Sequence, residues 1–146
     1  MKQITEVIRQ IEVFQGLSAP QLEQVAGMIR RESYNSGDVI IQQDDDSDSM
    51  YMIGQGQVEV RQRGARGEQR TTLFLGEGQI FGELALLDQG FRTATVVADE
   101  EPTVLYKLTR NDFETLCTTD SVLGYLIMRN IALDLAFKLR HQNLDN

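Results

Sequence analysis

The chain has 146 residues, 41% of them apolar, which is enough for one domain with a substantial core. Its net charge of −8 and pI of about 4.6 argue against holding a polyanion through a general electrostatic field, so nucleic acid is not expected as a direct partner. One cysteine, Cys117, rules out an internal disulfide framework and a four-cysteine zinc or iron–sulfur site, and the lack of a signal h-region or a bilayer-length apolar run makes the cytoplasm the expected location, with no membrane partner.

From the N-terminus, Ile4, Val7, Ile8, Ile11 and Val13 to Phe14 recur at helical spacing, and Gly16 closes that segment, so an amphipathic helix is expected there. Ser18 followed by Gln21 reads as a capping box, with Pro20 tolerated in the first turn; a second helix should run from Ala19 to about Arg30 with Leu22, Val25, Ala26 and Ile29 on its apolar face. Beyond Arg31 the periodicity becomes alternating and turn residues arrive at short intervals, the pattern of many short antiparallel strands in a barrel or sandwich. Val39 to Gln42, Met50 to Ile53, Val58 to Val60 and Thr71 to Leu75 are the expected strands, with Arg63 to Gln69 a polar hairpin tip. The acidic run Asp44, Asp45, Asp46 and Asp48 invites a calcium reading. Counted as an EF-hand loop it puts Ser49 where the turn glycine belongs and Gln55 where the bidentate glutamate belongs, so a solvated turn is the better reading. Arg61, Arg63, Arg66 and Arg70 likewise read as solvated charge around the hairpin.

The stretch Phe81 to Ala98, FGELALLDQGFRTATVVA, carries the chemistry. Gly82 and Glu83 open an apolar run, Leu84 to Leu87, long enough for one helical turn. The unpartnered N–H groups at the start of such a turn suit an anion, and glycine lets a ligand approach the main chain. A loop, Asp88 to Phe91, then reverses the chain and delivers Arg92 ahead of an expected strand, Thr93 to Ala98. A guanidinium offers paired donors to phosphate and a carboxylate offers acceptors only, so Arg92 and Glu83 together suit one ligand bearing both a phosphate and a hydroxyl.

Val104 to Leu108 is the last expected strand, and Thr109 is placed to cap a helix containing Phe113, Leu116 and Cys117. From Ser121 to Asn143 there is no proline, and Leu123, Leu126, Ile127, Ile131, Leu135 and Leu139, with Tyr125, Met128, Leu133 and Phe137, cover more than one helical face. Such a helix must be buried on two sides: one against the body of the domain, the other against a second copy of the chain or an effector domain.

The ordered string FGELALL followed by RTATV resembles the phosphate-binding cassette of cyclic nucleotide-binding domains, shared by catabolite-activator-type regulators, cyclic nucleotide-dependent kinases and cyclic nucleotide-gated channels. The resemblance implies an eight-stranded antiparallel β-barrel of jelly-roll type with the cassette between its sixth and seventh strands, N-terminal helices, a short cassette helix and a long C-terminal helix. It divides a single domain, 1–146, into N-terminal helices at 1–30, a barrel at 31–109 holding the cassette at 81–96, and C-terminal helices at 110–146. It implies that Glu83 takes the ribose, Arg92 the cyclic phosphate, and Gly82, Leu84 and Ala85 the backbone contacts, with Thr93 adding a hydroxyl. It also implies that Val60 and Thr72 line the base pocket and that Leu135, Lys138 and Leu139 lie over the base as a lid. The ligand is then cyclic AMP or cyclic GMP, with a slight preference for cyclic AMP, and no other cofactor is implied. The N-terminal helices either move when nucleotide binds or simply close one end of the core. A regulator fragment lacking a helix-turn-helix domain and a ligand-free oligomerisation domain are the alternatives; an enzyme of the cupin type would need several histidines, and His141 is the only one.

Overall fold

In a computed structural model describing residues 3–144, with side chains through His141, the N-terminal helical pattern splits into two pieces where one helix was expected. Helix α1 spans Ile4–Ile8, and a separate 3-10 turn follows at Glu12–Phe14. The break has a cause legible in the contacts. Ile11 is extended and the Glu12 N–H donates to Gly78 O at 2.9 Å, so this segment is tied to a strand connection instead of to its own preceding turn. Ile11, Val13 and Phe14 are all buried, a set that no single helical face could point inward together.

Helix α2, Ala19–Ala26, starts on the expected capping box: the Gln21 N–H donates to Ser18 Oγ at 3.3 Å and the Ser18 N–H donates to Gln21 Oε1 at 2.8 Å. It stops at Gly27, short of the expected Arg30, because Arg30 already belongs to the first strand. The strands are β1 Arg30–Tyr34, β2 Val39–Ile41, β3 Ser49–Gln55, β4 Val58–Arg63, β5 Gln69–Leu75, β6 Ile80–Phe81, β7 Thr95–Ala98 and β8 Thr103–Thr109. They pair into two antiparallel four-stranded sheets, ordered β1-β8-β3-β6 and β2-β7-β4-β5. The expectation of a closed barrel is corrected here. Eight strands are present, but no ladder joins the two sheets among the described residues, so β1 and β6 edge one sheet and β2 and β5 the other.

The inner strands of the first sheet, β3 and β8, are buried on both faces, while the edge strand β1 is largely exposed. In β3, Tyr51 and Ile53 point to a core between the sheets, while Met50 and Met52 point to a larger core beneath the helices. Strand β8 alternates in the same way, with Leu105 on one side and Val104, Tyr106 and Leu108 on the other. Each fully buried side chain of this kind contributes about 1.5–3 kcal/mol relative to exposure.

Helix α3, Arg110–Thr119, is capped by Thr109 Oγ1, which accepts from the Asp112 N–H at 3.2 Å. Helix α4, Ser121–Leu144, is capped by Asp120 Oδ1, which accepts from the N–H groups of Val122 and Leu123 at 3.1 Å each. Gly124 lets the two helices touch, since a Cβ there would stand 2.9 Å from Cys117 Sγ and 3.0 Å from Cys117 Cα. The first half of α4 is an anchor. Leu123, Ile127 and Ile131 enter the helical core, and Asn130 Nδ2 donates to Val13 O at 2.9 Å and Gln15 O at 3.0 Å. In the second half Leu135 still packs against this core, and Lys138 reaches β6, donating to Ile80 O at 2.9 Å. No helix among the described residues is long and apolar enough to cross a membrane.

Candidate functional site

Between β6 and β7 the chain makes one 3-10 turn, Glu83–Leu86, entered through Gly82 with φ +74°. A side chain at Gly82 is excluded twice over: the left-handed conformation strains it, and a Cβ would stand 2.7 Å from Arg92 Nη1 and 3.2 Å from Ser49 O. The turn is also tethered from outside. Arg110, at the start of α3, donates from Nε to Ala85 O at 2.8 Å and from Nη2 to Ser47 O at 2.5 Å, linking the turn to the loop before β3.

The acidic loop acts through its main chain. The Arg92 N–H donates to Asp45 O at 2.7 Å, the Asp44 N–H donates to Arg92 O at 2.9 Å, and the Asp44 carboxylate is paired with Arg63. These bonds fix the backbone from which the Arg92 side chain projects. That side chain is 7% exposed, and its Cζ lies 5.9 Å from the centre of the Tyr51 ring, which stacks on Phe81 at 5.1 Å. Its nearest acceptor contact, Nη1 to Gly82 O, is a long 3.5 Å, and among the described residues Arg92 takes part in no salt bridge. Burial pulls the Arg92 guanidinium below its ordinary range, with Tyr51 and Asp48 opposing that shift. A buried cation lacking a carboxylate partner is held at a cost, which an incoming anion would relieve.

Glu83, 5% exposed, lines the same cavity as Arg92 and is engaged by α4. Lys138 on α4 donates to Glu83 Oε1 and to Ile80 O, each at 2.9 Å, and lies 2.9 Å from Asp134 Oδ2. Burial drives the Glu83 and Asp134 carboxyls above the usual carboxylate range, and Lys138 opposes both shifts. Burial equally works against the charge on Lys138, yet the two carboxylates more than offset it and lift the ammonium above its ordinary range.

These groups open onto a cavity of about 720 Å³ between the turn, the second sheet and the end of α4. That volume is in the range of small-molecule sites. Of the residues singled out from sequence, Gly82, Glu83, Leu84, Ala85, Arg92 and Thr93 line it; Glu83, Ala85 and Arg92 are buried and mark its closed end, whereas Leu84 and Thr93 are exposed. Val60, Thr72, Leu135 and Lys138 line its walls, with Thr72 Oγ1 donating to Val60 O at 3.2 Å. Leu139 is not among the lining residues; it is 58% exposed on another face of α4. The Ala85 N–H is not free for a ligand either, since it donates to Gly82 O at 3.1 Å and closes the turn.

Arg70, Phe137 and His141 are among the lining residues that escape the sequence reading. Arg70 reads there as solvated charge, and Phe137 and His141 as part of an apolar helix and its tail, yet all three face the cavity. The rings of Phe137 and His141 lie tilted against each other with centroids 3.9 Å apart, and an aromatic and a histidine four residues apart on a helix is the signal that would have found them.

Residues 31–120 match the family described as the cyclic nucleotide-binding domain, so the match ends just before α4. The cyclic AMP receptor protein of Thermus thermophilus is 33% identical over 133 residues, 91% of this chain and 59% of that protein. The cGMP-dependent protein kinase egl-4 of Caenorhabditis elegans is 31% identical over 115 residues, 78% of this chain and 15% of the kinase. The crystal structure of the Thermus thermophilus catabolite activator protein superimposes with a TM-score of 0.80 at 33% identity, covering 92% of this chain and 61% of that one. The chain thus spans less than two thirds of either of these curated relatives.

Proposed function

Because the chain belongs to the cyclic nucleotide-binding domain family, we propose that it is a regulatory module that binds cyclic AMP in preference to cyclic GMP and changes conformation on doing so. The observation that carries this reading is Arg92, a buried guanidinium without a carboxylate partner among the described residues, lining the same cavity as the buried Glu83. In this reading Arg92 pairs with the cyclic phosphate and Glu83 accepts from a ribose hydroxyl. Gly82 and Leu84 bring the main chain to the phosphate, Thr93 adds a hydroxyl, and Ala85 reaches the ligand only by giving up its bond to Gly82 O. Val60, Thr72, Leu135 and Lys138 enclose the base. A ligand shifts the conformation only as far as it binds one state better than the other, and a closed α4 over the base supplies that difference.

The preference for cyclic AMP is supported by the bacterial relative, a cyclic AMP receptor protein by name and alike over most of this chain. The acidic net charge supports a binding module with no direct nucleic-acid contact. The exposed row Val122, Tyr125, Met128 and Leu133 on α4 supports a homodimer, or an effector domain, covering that face; a monomeric mass by light scattering at high concentration would remove the homodimer. Isothermal titration with cyclic AMP, cyclic GMP, cyclic di-GMP and linear AMP tests the central claim. Saturable binding of cyclic AMP, tighter than of the other three, is expected. Tighter cyclic GMP binding would reverse the preference, and no response to either cyclic mononucleotide would end the reading.

A further inference from the structure

The ammonium of Lys138 joins two parts of the molecule that are far apart in sequence. It comes from the second half of α4, one turn after Asp134, yet two of its three contacts, Glu83 Oε1 and Ile80 O, belong to the approach to the cassette turn. All three side chains are withdrawn from solvent: Lys138 is 23% exposed, Glu83 6% and Asp134 8%. Two neighbouring carboxylates withdrawn in this way tend to share a proton, and a protonated Glu83 would lose acceptor capacity where a sugar hydroxyl needs it. The ammonium between them opposes the protonation of both. A carboxylate can accept several hydrogen bonds, so the bond from Lys138 to Oε1 leaves Glu83 able to accept another.

We propose that Lys138, held by Asp134, is the positioning residue for sugar discrimination: it fixes the Glu83 carboxylate, ionised and oriented, so that a nucleotide bearing a free ribose hydroxyl is preferred over one lacking it. This rests on the cyclic-nucleotide reading and goes beyond it, because it places a residue of α4, outside the segment that matches the family, in the recognition of the sugar. It also makes sugar recognition conditional on the docking of α4. When the helix lifts, Glu83 loses the cation, and the preference for the hydroxyl goes with it.

The test is titration of the full chain, and of its Lys138→Met, Lys138→Arg and Arg92→Met variants, with cyclic AMP and with 2′-deoxy cyclic AMP. The wild type should prefer the ribonucleotide on the order of tenfold, the worth of a hydrogen bond to a charged group. Lys138→Met should bring that ratio close to one by weakening cyclic AMP alone, with its 2′-deoxy affinity reporting that the cavity is intact. Lys138→Arg should recover most of the ratio, while Arg92→Met should weaken both ligands alike and leave it unchanged. A Lys138→Met protein that keeps the wild-type ratio, or that binds cyclic AMP more tightly because the lysine had competed with the sugar, overturns the proposal. A wild type that binds both ligands equally overturns it while sparing the cyclic-nucleotide reading; a wild type that binds neither overturns both.

Discussion

The two ends of the cavity are built on opposite plans. At the closed end, Arg92 and Glu83 are buried, charged and only nine positions apart in sequence, and the main chain that carries them is pinned by the 44–45 loop and by Arg110. At the open end, Phe137 and Leu73 come from α4 and β5, sixty-four positions apart, and both are exposed. The first plan recognises by charge in a fixed frame, where a misplaced donor is costly. The second covers a ligand with apolar surface that can adjust. A molecule built this way should take its affinity mainly from the sugar-phosphate ring and draw more modestly on the base.

Removing the charge at Arg92 is the strongest attempt to break this contrast. Arg92→Met keeps much of the volume and deletes the donors, so affinity for cyclic AMP should fall by roughly tenfold to 150-fold, about 1.5–3 kcal/mol. The empty protein should lose no thermal stability and can gain some, because an unpaired buried cation is exchanged for an apolar chain. Melting curves with and without nucleotide read both effects at once. A variant that melts lower when empty would mean that Arg92 serves the fold and not a ligand.

Acidification acts on the other charged group of the closed end. Burial holds the Glu83 carboxyl above its ordinary range, with Lys138 pulling it back and Asp134 adding to the rise. Its ionised form is the one that accepts from a sugar hydroxyl, so that contribution to affinity is present above the raised pKa and is lost as pH falls through it. Titrations at about pH 7.5 and about pH 5 should show several-fold weaker binding in acid. Glu83→Gln should flatten the profile; a slope that survives in that variant would assign it to another group.

The same contrast explains what could be read without coordinates. The cassette is legible because its glycine, carboxylate, turn and guanidinium follow one another along the chain, and the caps at Ser18 and Thr109 are legible because each needs only a residue three positions on. Phe137, His141 and Arg70 were not legible as site residues. Their place depends on where α4 comes to rest and on the register of β4 with β5, and both are tertiary facts. Leu139 stands outside the cavity lining for the same reason, since a one-residue rotation along α4 separates the half-buried Lys138 from an exposed neighbour. Alternation identified strands but not sheet closure, because whether β1 or β6 finds a partner across the gap is not encoded in which residues face inward. Val13 was the visible warning against a single first helix: two positions after Ile11, it could not share that helix's buried face.

The open end should give the smallest effect. Phe137 is 56% exposed while it lines the cavity and lies tilted against His141, so only part of its ring is available to a bound base. A half-covered aromatic contact of that kind is worth about 0.5–1 kcal/mol, and Phe137→Ala should weaken cyclic AMP roughly twofold to fivefold. Because the ring meets the base and not the phosphate, the loss should differ between cyclic AMP and cyclic GMP, whereas the loss on Arg92→Met should be the same for both. Paired titrations of the two variants against the two nucleotides therefore separate the ends of the cavity directly. A Phe137→Ala loss as large as that of Arg92→Met would mean that the base end governs binding, and that the buried charges serve to orient a ligand already held by its ring.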